Sequence, residues 1–314
     1  MPMRTIDCNY FDQPEVAAAY FVRDGDRVAF IDNNTALAVP RMLAALGDEG
    51  LGPADVEWII VTHVHLDHAA GTSALAAACP DATVLCHPRA ARHLVDPSKL
   101  VASAKHVYGE ETFARLYGEI LPVAAARVRS LEDGESVLLG ARPLTFLHTR
   151  GHANHHFCIL DAGERNVYTG DAFGLAYPRL QRAGLFMFPS SSPTDFDPVA
   201  ARETIVRLRD SGAERAFPTH FGAVTDLPEA ARQMTAMLNS YEAILDAAVA
   251  SPLEGGALET FCVERMREVF ARAAERRGLT LSPEDWEFLK IDVDLNGAGI
   301  AHVANKRRQP AARE

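Results

Sequence analysis

Long apolar runs are missing from this sequence. No stretch approaches the roughly 18 residues a membrane-spanning helix needs, and residues 1–12 hold no apolar core of the kind a secretory signal carries. A cytoplasmic protein with no membrane partner is therefore expected. Cysteine is scarce too. Cys8, Cys79, Cys86, Cys158 and Cys262 are odd in number, widely scattered and form no CxxC pair. That argues against a disulfide frame and for reduced thiols buried as small apolar side chains. Positive charge is also in short supply: 31 Lys and Arg stand against 42 Asp and Glu, a formal net charge of −11. A chain this acidic, with no Arg/Lys-rich stretch beside its candidate site, lacks the electrostatic footprint of a nucleic-acid binder. A nucleotide substrate is not excluded, because a metal can bind the phosphate itself.

What the chain does have is ample core-forming material. Hydrophobic residues make up 48% of 314 positions, enough for one large or two modest domains. Residues 17–32 read as a hairpin turning at Asp24-Gly25-Asp26, 36–46 and 71–79 as helices, and 56–61 and 83–86 as strands. This rhythm of strand and helix indicates α/β layering. Short strands recur at 137–139, 144–147, 157–160 and 167–169. From Leu227 the texture turns Ala-, Glu- and Arg-rich with helical spacing at 230–250, 258–277 and 283–291. Ser282-Pro283-Glu284-Asp285 carries an N-cap, a proline at N1 and an acidic first turn. The division that follows is a catalytic domain over 1–226 and a helical C-terminal extension over 227–314, with a polar, frayed tail from Lys306.

The densest chemical signal is Thr62-His63-Val64-His65-Leu66-Asp67-His68, directly after the apolar Trp58-Ile59-Ile60-Val61. Residues i and i+2 of extended backbone point the same way, so His63 and His65 can grip one ion together. Asp67 and His68 follow a bend and can face a second position. Imidazole with carboxylate suits zinc, iron or manganese rather than calcium or magnesium alone. Three further segments each place a ligand-type residue after a short apolar run, beside Gly or Pro: Gly151-His152, Gly170-Asp171 and Pro218-Thr219-His220-Phe221-Gly222. A layered sheet gathers distant residues at one edge in this way. His87, His93, His106 and His302 lack such settings, and His156 reads as a core or supporting residue at the start of a strand.

Taken together, His63-x-His65-x-Asp67-His68, His152, Asp171 and His220 resemble the ligand set of the metallo-β-lactamase-fold hydrolases, in order and spacing like the glyoxalase II-like and lactonase-like branches. The resemblance covers roughly residues 14 to 225. It implies an α/β fold, a four-layer αββα sandwich. It also implies two divalent ions, zinc ahead of iron or manganese, with His63, His65 and His152 on one, Asp67, His68 and His220 on the other, and Asp171 bridging. Such ions, about 3.5–4 Å apart, activate a bridging hydroxide towards an ester, thioester or lactone. Asp67 is the residue expected to accept the water proton and pass it to the leaving group. Thr149-Arg150-Gly151-His152 departs from the pattern in lacking the proline that many relatives carry before the glycine.

Other chemistries share the scaffold, because one fold hosts many reactions. A mononuclear-iron persulfide dioxygenase keeps most of these ligand types, and a small-molecule phosphodiesterase is a third reading. The Pro- and aromatic-rich segment 173–197 follows the bridging Asp. There Tyr177 is a candidate donor to an oxyanion and Arg179 a candidate anion holder; the competing reading is a rigid loop with core aromatics. Residues 88–127 read either as a solvated helical insert or as a lid. The C-terminal helices are expected to shape the pocket for a small-molecule substrate, and their Ala- and Leu-bearing faces also suit a homodimer.

Overall fold

The computed structural model describes residues 2–191 and 195–309. Its chain forms two compact units, neither continuous in sequence. The first comprises Met1–His148, His155–Gly170 and Ser211–Thr225; the second comprises Thr149–Asn154, Asp171–Asp210 and Asp226–Glu314. The last segment of the second unit begins at Asp226, and two earlier segments, 149–154 and 171–210, cluster with it.

The first unit holds two sheets. One runs β1 (Met3–Asp7), β2 (Ala18–Asp24), β3 (Arg27–Ile31), β4 (Val56–Val61), β5 (Thr83–Cys86), β6 (Val128–Ser130), antiparallel as far as β3 and parallel beyond. The other has the spatial order β11 (Arg215–Pro218), β10 (Asn166–Gly170), β9 (Phe157–Asp161), β8 (Arg142–His148), β7 (Ser136–Leu139), with only β10 and β11 parallel. Side-chain alternation explains why the strands read as nearly unbroken apolar runs. In β2 and β3, Phe21, Val28 and Phe30 enter one core cluster, while Tyr20, Val22, Ala29 and Ile31 enter another. The first cluster packs the sheet against α1 (Val39–Asp48), α3 (Thr72–Ala78) and α4 (Pro88–Val95). The second joins the two sheets through Leu144, Phe146, Phe157, Tyr168 and Phe217. With both faces buried, a one-residue slip would exchange the faces of an entire strand, so the register is fixed.

Residues 88–127 form α4, α5 (Ser98–Tyr108) and α6 (Glu110–Tyr117), followed by irregular chain. Leu94 and Val123 belong to the first core cluster. The five cysteines are buried and free, and burial pushes the thiols of Cys79 and Cys262 up to about 11, as their reading as packing residues requires. Among the described residues no helix is long and apolar enough to cross a membrane.

The second unit is a helical assembly of α7 (Pro198–Arg209), α8 (Leu227–Ala250), α9 (Gly255–Glu275), α10 (Pro283–Phe288) and α11 (Lys290–Arg308). Ser282 caps α10 as its sequence predicts. Its hydroxyl accepts from the Asp285 amide at 3.2 Å, and the Asp285 carboxylate accepts from the Ser282 amide at 2.8 Å. The helix expected at 283–291 is instead two helices, and the second continues to Arg308; residues 310–314 of the expected tail lie outside the described residues. The run Asn296-Gly297-Ala298-Gly299 hides α11 from a propensity reading, since each glycine costs a helix about 1 kcal/mol. Packing overrides that cost, and α11 lies against both α8 and α9.

Gly297 is where α11 comes close to α9. A Cβ there would lie 2.5 Å from Val263 Cγ2 and 2.7 Å from Val263 Cα, and that backbone cannot turn aside. Gly297→Ala gains about 1 kcal/mol of helix propensity but forces overpacking worth about 1–3 kcal/mol. The expected result is a lower urea midpoint. Gly256→Ala, with nothing within 4 Å of the new Cβ, is the control that should show no loss. An unchanged Gly297→Ala midpoint would mean the helices part easily here.

Candidate metal centre

In the first unit, β4 ends at Val61 and its continuation carries the ligands. The backbone of His65 is extended (φ −64°, ψ 147°) and serves as the N-cap of a one-turn helix, α2 (Leu66–Ala69). That bend separates the two pairs. His63 Nε2 and His65 Nδ1 lie 2.9 Å apart. On the helical turn, Asp67 Oδ2 lies 3.7 Å from His68 Nε2 and 3.2 Å from Nε2 of His220, delivered by the loop after β11. The ligand atoms of Asp67, His68 and His220 all fall within 4.8 Å of one another. The His220–Phe221 peptide is cis.

The nitrogens facing away from this cluster fix its protonation. His220 Nδ1 lies 2.7 Å from the Val16 carbonyl, which can only accept, so Nδ1 carries the proton and Nε2 presents a lone pair. His68 Nδ1 donates likewise to Asp32 Oδ2 at 2.8 Å. Two lone pairs and a carboxylate therefore converge, with the ring orientations held from behind. That donor set fits a divalent cation. His156 is buried at the start of β9 with its ring stacked 4.8 Å from that of His63, the supporting place expected of it.

Asp32 is the residue the sequence reading missed. It is fully buried in a left-handed conformation (φ 53°) just beyond β3. Its carboxylate accepts from the Thr62 amide (2.8 Å), the Thr62 hydroxyl (2.9 Å), the Thr219 hydroxyl (2.6 Å) and His68 Nδ1. Thr62 in turn lies 3.1 Å from His63 Nδ1. The available signal was Asp32-Asn33-Asn34-Thr35, a polar run at the end of an apolar strand, the same layout that marks the ligands.

In the second unit, His152 Nε2 lies 3.6 Å from Asp171 Oδ2. Gly151 precedes His152 with φ 123°, and a Cβ there would lie 2.4 Å from Ala201 Cα, so only glycine lets the chain pass α7. His152 Nδ1 donates to the Ser190 carbonyl at 3.0 Å. The next residue is clamped by α11: the Ser191 amide donates to Asn296 Oδ1 at 2.7 Å, and the Ser191 hydroxyl lies 2.8 Å from the same oxygen. Asn296 Nδ2 donates to the Asp292 carbonyl at 2.8 Å. A residue of the last helix thus braces His152 through two intermediates. Of the Pro- and Ser-rich run at 189–193, Ser192 and Pro193 lie outside the described residues.

Tyr177 and Arg179 face the C-terminal helices. The buried Tyr177 hydroxyl donates to Asp292 Oδ1 at 3.2 Å, and its ring packs edge-on to Phe288 at 4.8 Å. Arg179 lies 3.4 Å from Asp285 Oδ1 and stacks 4.5 Å over Phe288.

A model of the metallo-beta-lactamase superfamily matches residues 12–220, and the chain belongs to that family of metal-binding, generally hydrolytic proteins. Its fold is the family's, two sheets flanked by helices, here followed by a helical C-terminal region. Among characterised relatives, the acyl-coenzyme A thioesterase MBLAC2 of Gallus gallus is 24% identical over 229 residues, 68% of this chain and 75% of that one. The protein of the same name from Homo sapiens is 29% identical over 92 residues, 29% of this chain and 30% of that one. Two solved structures share the fold. One is an archaeal superfamily protein from Sulfolobus tokodaii (19% identity, TM-score 0.65, covering 95% of this chain and 97% of that one). The other is a family protein from Thermus thermophilus (21% identity, TM-score 0.64, covering 98% and 93%).

Asp32→Asn keeps the shape of the side chain but turns an acceptor into a donor among donors. Zinc affinity, read by chelator competition, should fall about 10–100-fold, as for other groups that orient metal-bound histidines; an unchanged affinity would remove Asp32 from the centre. A second expectation concerns His87, whose Nδ1 caps α4 by accepting from the Arg89 amide at 3.1 Å. Burial, reinforced by His148 with its ring 4.1 Å away, lowers the His87 pKa to about 4. The unfolded state therefore binds the proton first. The stabilisation is fully present above about pH 6.5 and is lost as pH falls towards 4. Against His87→Asn, which keeps a capping acceptor that does not titrate, metal-free wild-type protein should lose up to about 1.4 kcal/mol per pH unit across that window in urea unfolding. Parallel pH profiles would show that His87 is not held neutral.

Proposed function

We propose that this protein is a dinuclear metal-dependent hydrolase of activated acyl bonds, with thioesters favoured over esters and lactones. The observation that carries the reading is the convergence of His68 Nε2, His220 Nε2 and the Asp67 carboxylate, with each imidazole's other nitrogen committed to an acceptor. Asp67, His68 and His220 would hold one ion, His63, His65 and His152 the other, and Asp171 would bridge. The preference for thioesters rests on the relative named as an acyl-coenzyme A thioesterase. Bound ions would supply a nucleophile near neutral pH by lowering the pKa of a shared water, and would polarise the acyl oxygen.

The chain's own groups do the rest. Asp67, about one-quarter exposed where His68 and His220 are buried, can reach a substrate. Its carboxylate would accept the water proton and return it to the departing sulfur or oxygen. His63, His68 and His220 are oriented by Thr62, Asp32 and Val16. No chemical step is assigned to Tyr177 or Arg179, which lie against Asp292 and Asp285.

The test joins metal analysis to a panel of thioesters, esters and lactones on the same preparation. About two equivalents of zinc, iron or manganese with acyl hydrolysis are expected; a stable single iron with oxygen uptake would replace this reading with an oxygenase. Asp67→Asn should lower kcat by about 10²-fold or more, with metal content measured alongside. Full activity in that variant would remove Asp67 from the mechanism.

A further inference from the structure

Beside the ligand loop, the first unit contains a cavity of about 330 Å³ that no step above uses. Its wall includes Tyr10, Phe11, Asn34, Leu37, Arg41 and Arg115. Asn34 ties it to the metal loop: its Nδ2 donates to the Asp67 carbonyl at 2.9 Å. Arg115 comes from α6 in the 88–127 insert, which the Tyr10 and Tyr117 hydroxyls, 3.2 Å apart, fasten to the N-terminal segment.

Three independent features mark this cavity. First, backbone strain is concentrated around it. Asn9, Phe11, Asp12, Glu15, Asp32 and Asn34 are all left-handed, and among the described residues Arg165 is the only other non-glycine with positive φ. Such conformations persist where the surroundings over-determine them, and they gather at binding sites. Second, Leu37 presents an apolar side chain that is 60% exposed on the wall. Third, the charge is locally reversed. Arg41 and Arg115 face one carboxylate, Asp12, on a chain whose net charge is −11. Among the described residues neither guanidinium has an ion-pair partner, whereas Arg4 and Arg23 of the same unit pair with Asp48 and Glu49.

We propose that this cavity binds the phosphate-bearing end of the thioester substrate, an inference that rests on the hydrolase reading above. Two guanidinium forks suit a phosphate, whose terminal oxygens can receive both, better than a carboxylate, which one fork fills. Phe11 and Leu37 cover the less polar part of the carrier. Asn34 links the wall of the occupied cavity to the backbone of Asp67.

The experiment uses full-length, metal-loaded protein and desulfo-coenzyme A, which has phosphates but neither an acyl bond to hydrolyse nor a thiol to bind metal. Calorimetric titration compares wild type, Arg41→Ala/Arg115→Ala and Arg41→Lys/Arg115→Lys. The second reading is the ratio of kcat/KM for acetyl-coenzyme A to that for S-acetyl-N-acetylcysteamine, a thioester without phosphate. The alanine pair should weaken desulfo-coenzyme A binding at least 10-fold and lower the ratio at least 10-fold, with partial recovery in the lysine pair. No binding to wild type, equal Kd values for wild type and the alanine pair, or equal losses on both thioesters would overturn the proposal. The two readings fail separately. Binding that depends on the arginines in a protein that hydrolyses neither thioester keeps the cavity and sinks the hydrolase. Hydrolysis with an unmoved ratio does the reverse.

Discussion

A single buried carboxylate, that of Asp32, holds the His/Asp cluster of the first unit in order. Burying an unpaired charge costs several kcal/mol, and Asp32 is fully enclosed. Four donors offset that cost, and they come from three separate places: Thr62 at the end of β4, His68 on α2 and Thr219 after β11. The same charge therefore fastens both sheets' loops at one point and sets the tautomer of a ligand. Two backbone bonds reinforce it, from the Phe157 amide to the Thr62 carbonyl and from the Ala18 amide to the Thr219 carbonyl. Remove the charge and the donors lose their common acceptor together.

The cluster in the first unit was legible in the sequence because its residues are chemically rare types placed after apolar strands. His63, His65, Asp67 and His68 announce themselves by density, and His220 by its place after β11. Asp32 does not, since a single aspartate after a strand is ordinary and only the fold brings Thr62, His68 and Thr219 to it. Asn296 was hidden more deeply. It lies in a glycine-bearing run whose propensity argues against helix, and α11 exists because Gly297 allows α9 to come close. Short-range pattern carries secondary structure well where a compact apolar run is bounded by turn residues, as in β2 and β3, and poorly where a tertiary contact outweighs local preference.

The second unit shows a related limit. The change of texture at Leu227 marks the C-terminal helices correctly, yet 149–154 and 171–210 cluster with them. Those segments look like loops of the sheet in sequence, because each follows a strand. Their contacts decide otherwise: Gly151 against Ala201, Tyr177 with Asp292, Ser191 with Asn296. Linear composition cannot report where a loop finds its partners.

The Ser191–Asn296 clamp also sets an order of events. The two residues are 105 positions apart. At translation rates of about 5–20 residues per second, Ser191 is made roughly 5–20 s before its acceptor. During that interval the Ser190 carbonyl has nothing behind it, and His152 hangs from an unsupported peptide. The position His152 serves is therefore completed only after Asn296 has been made.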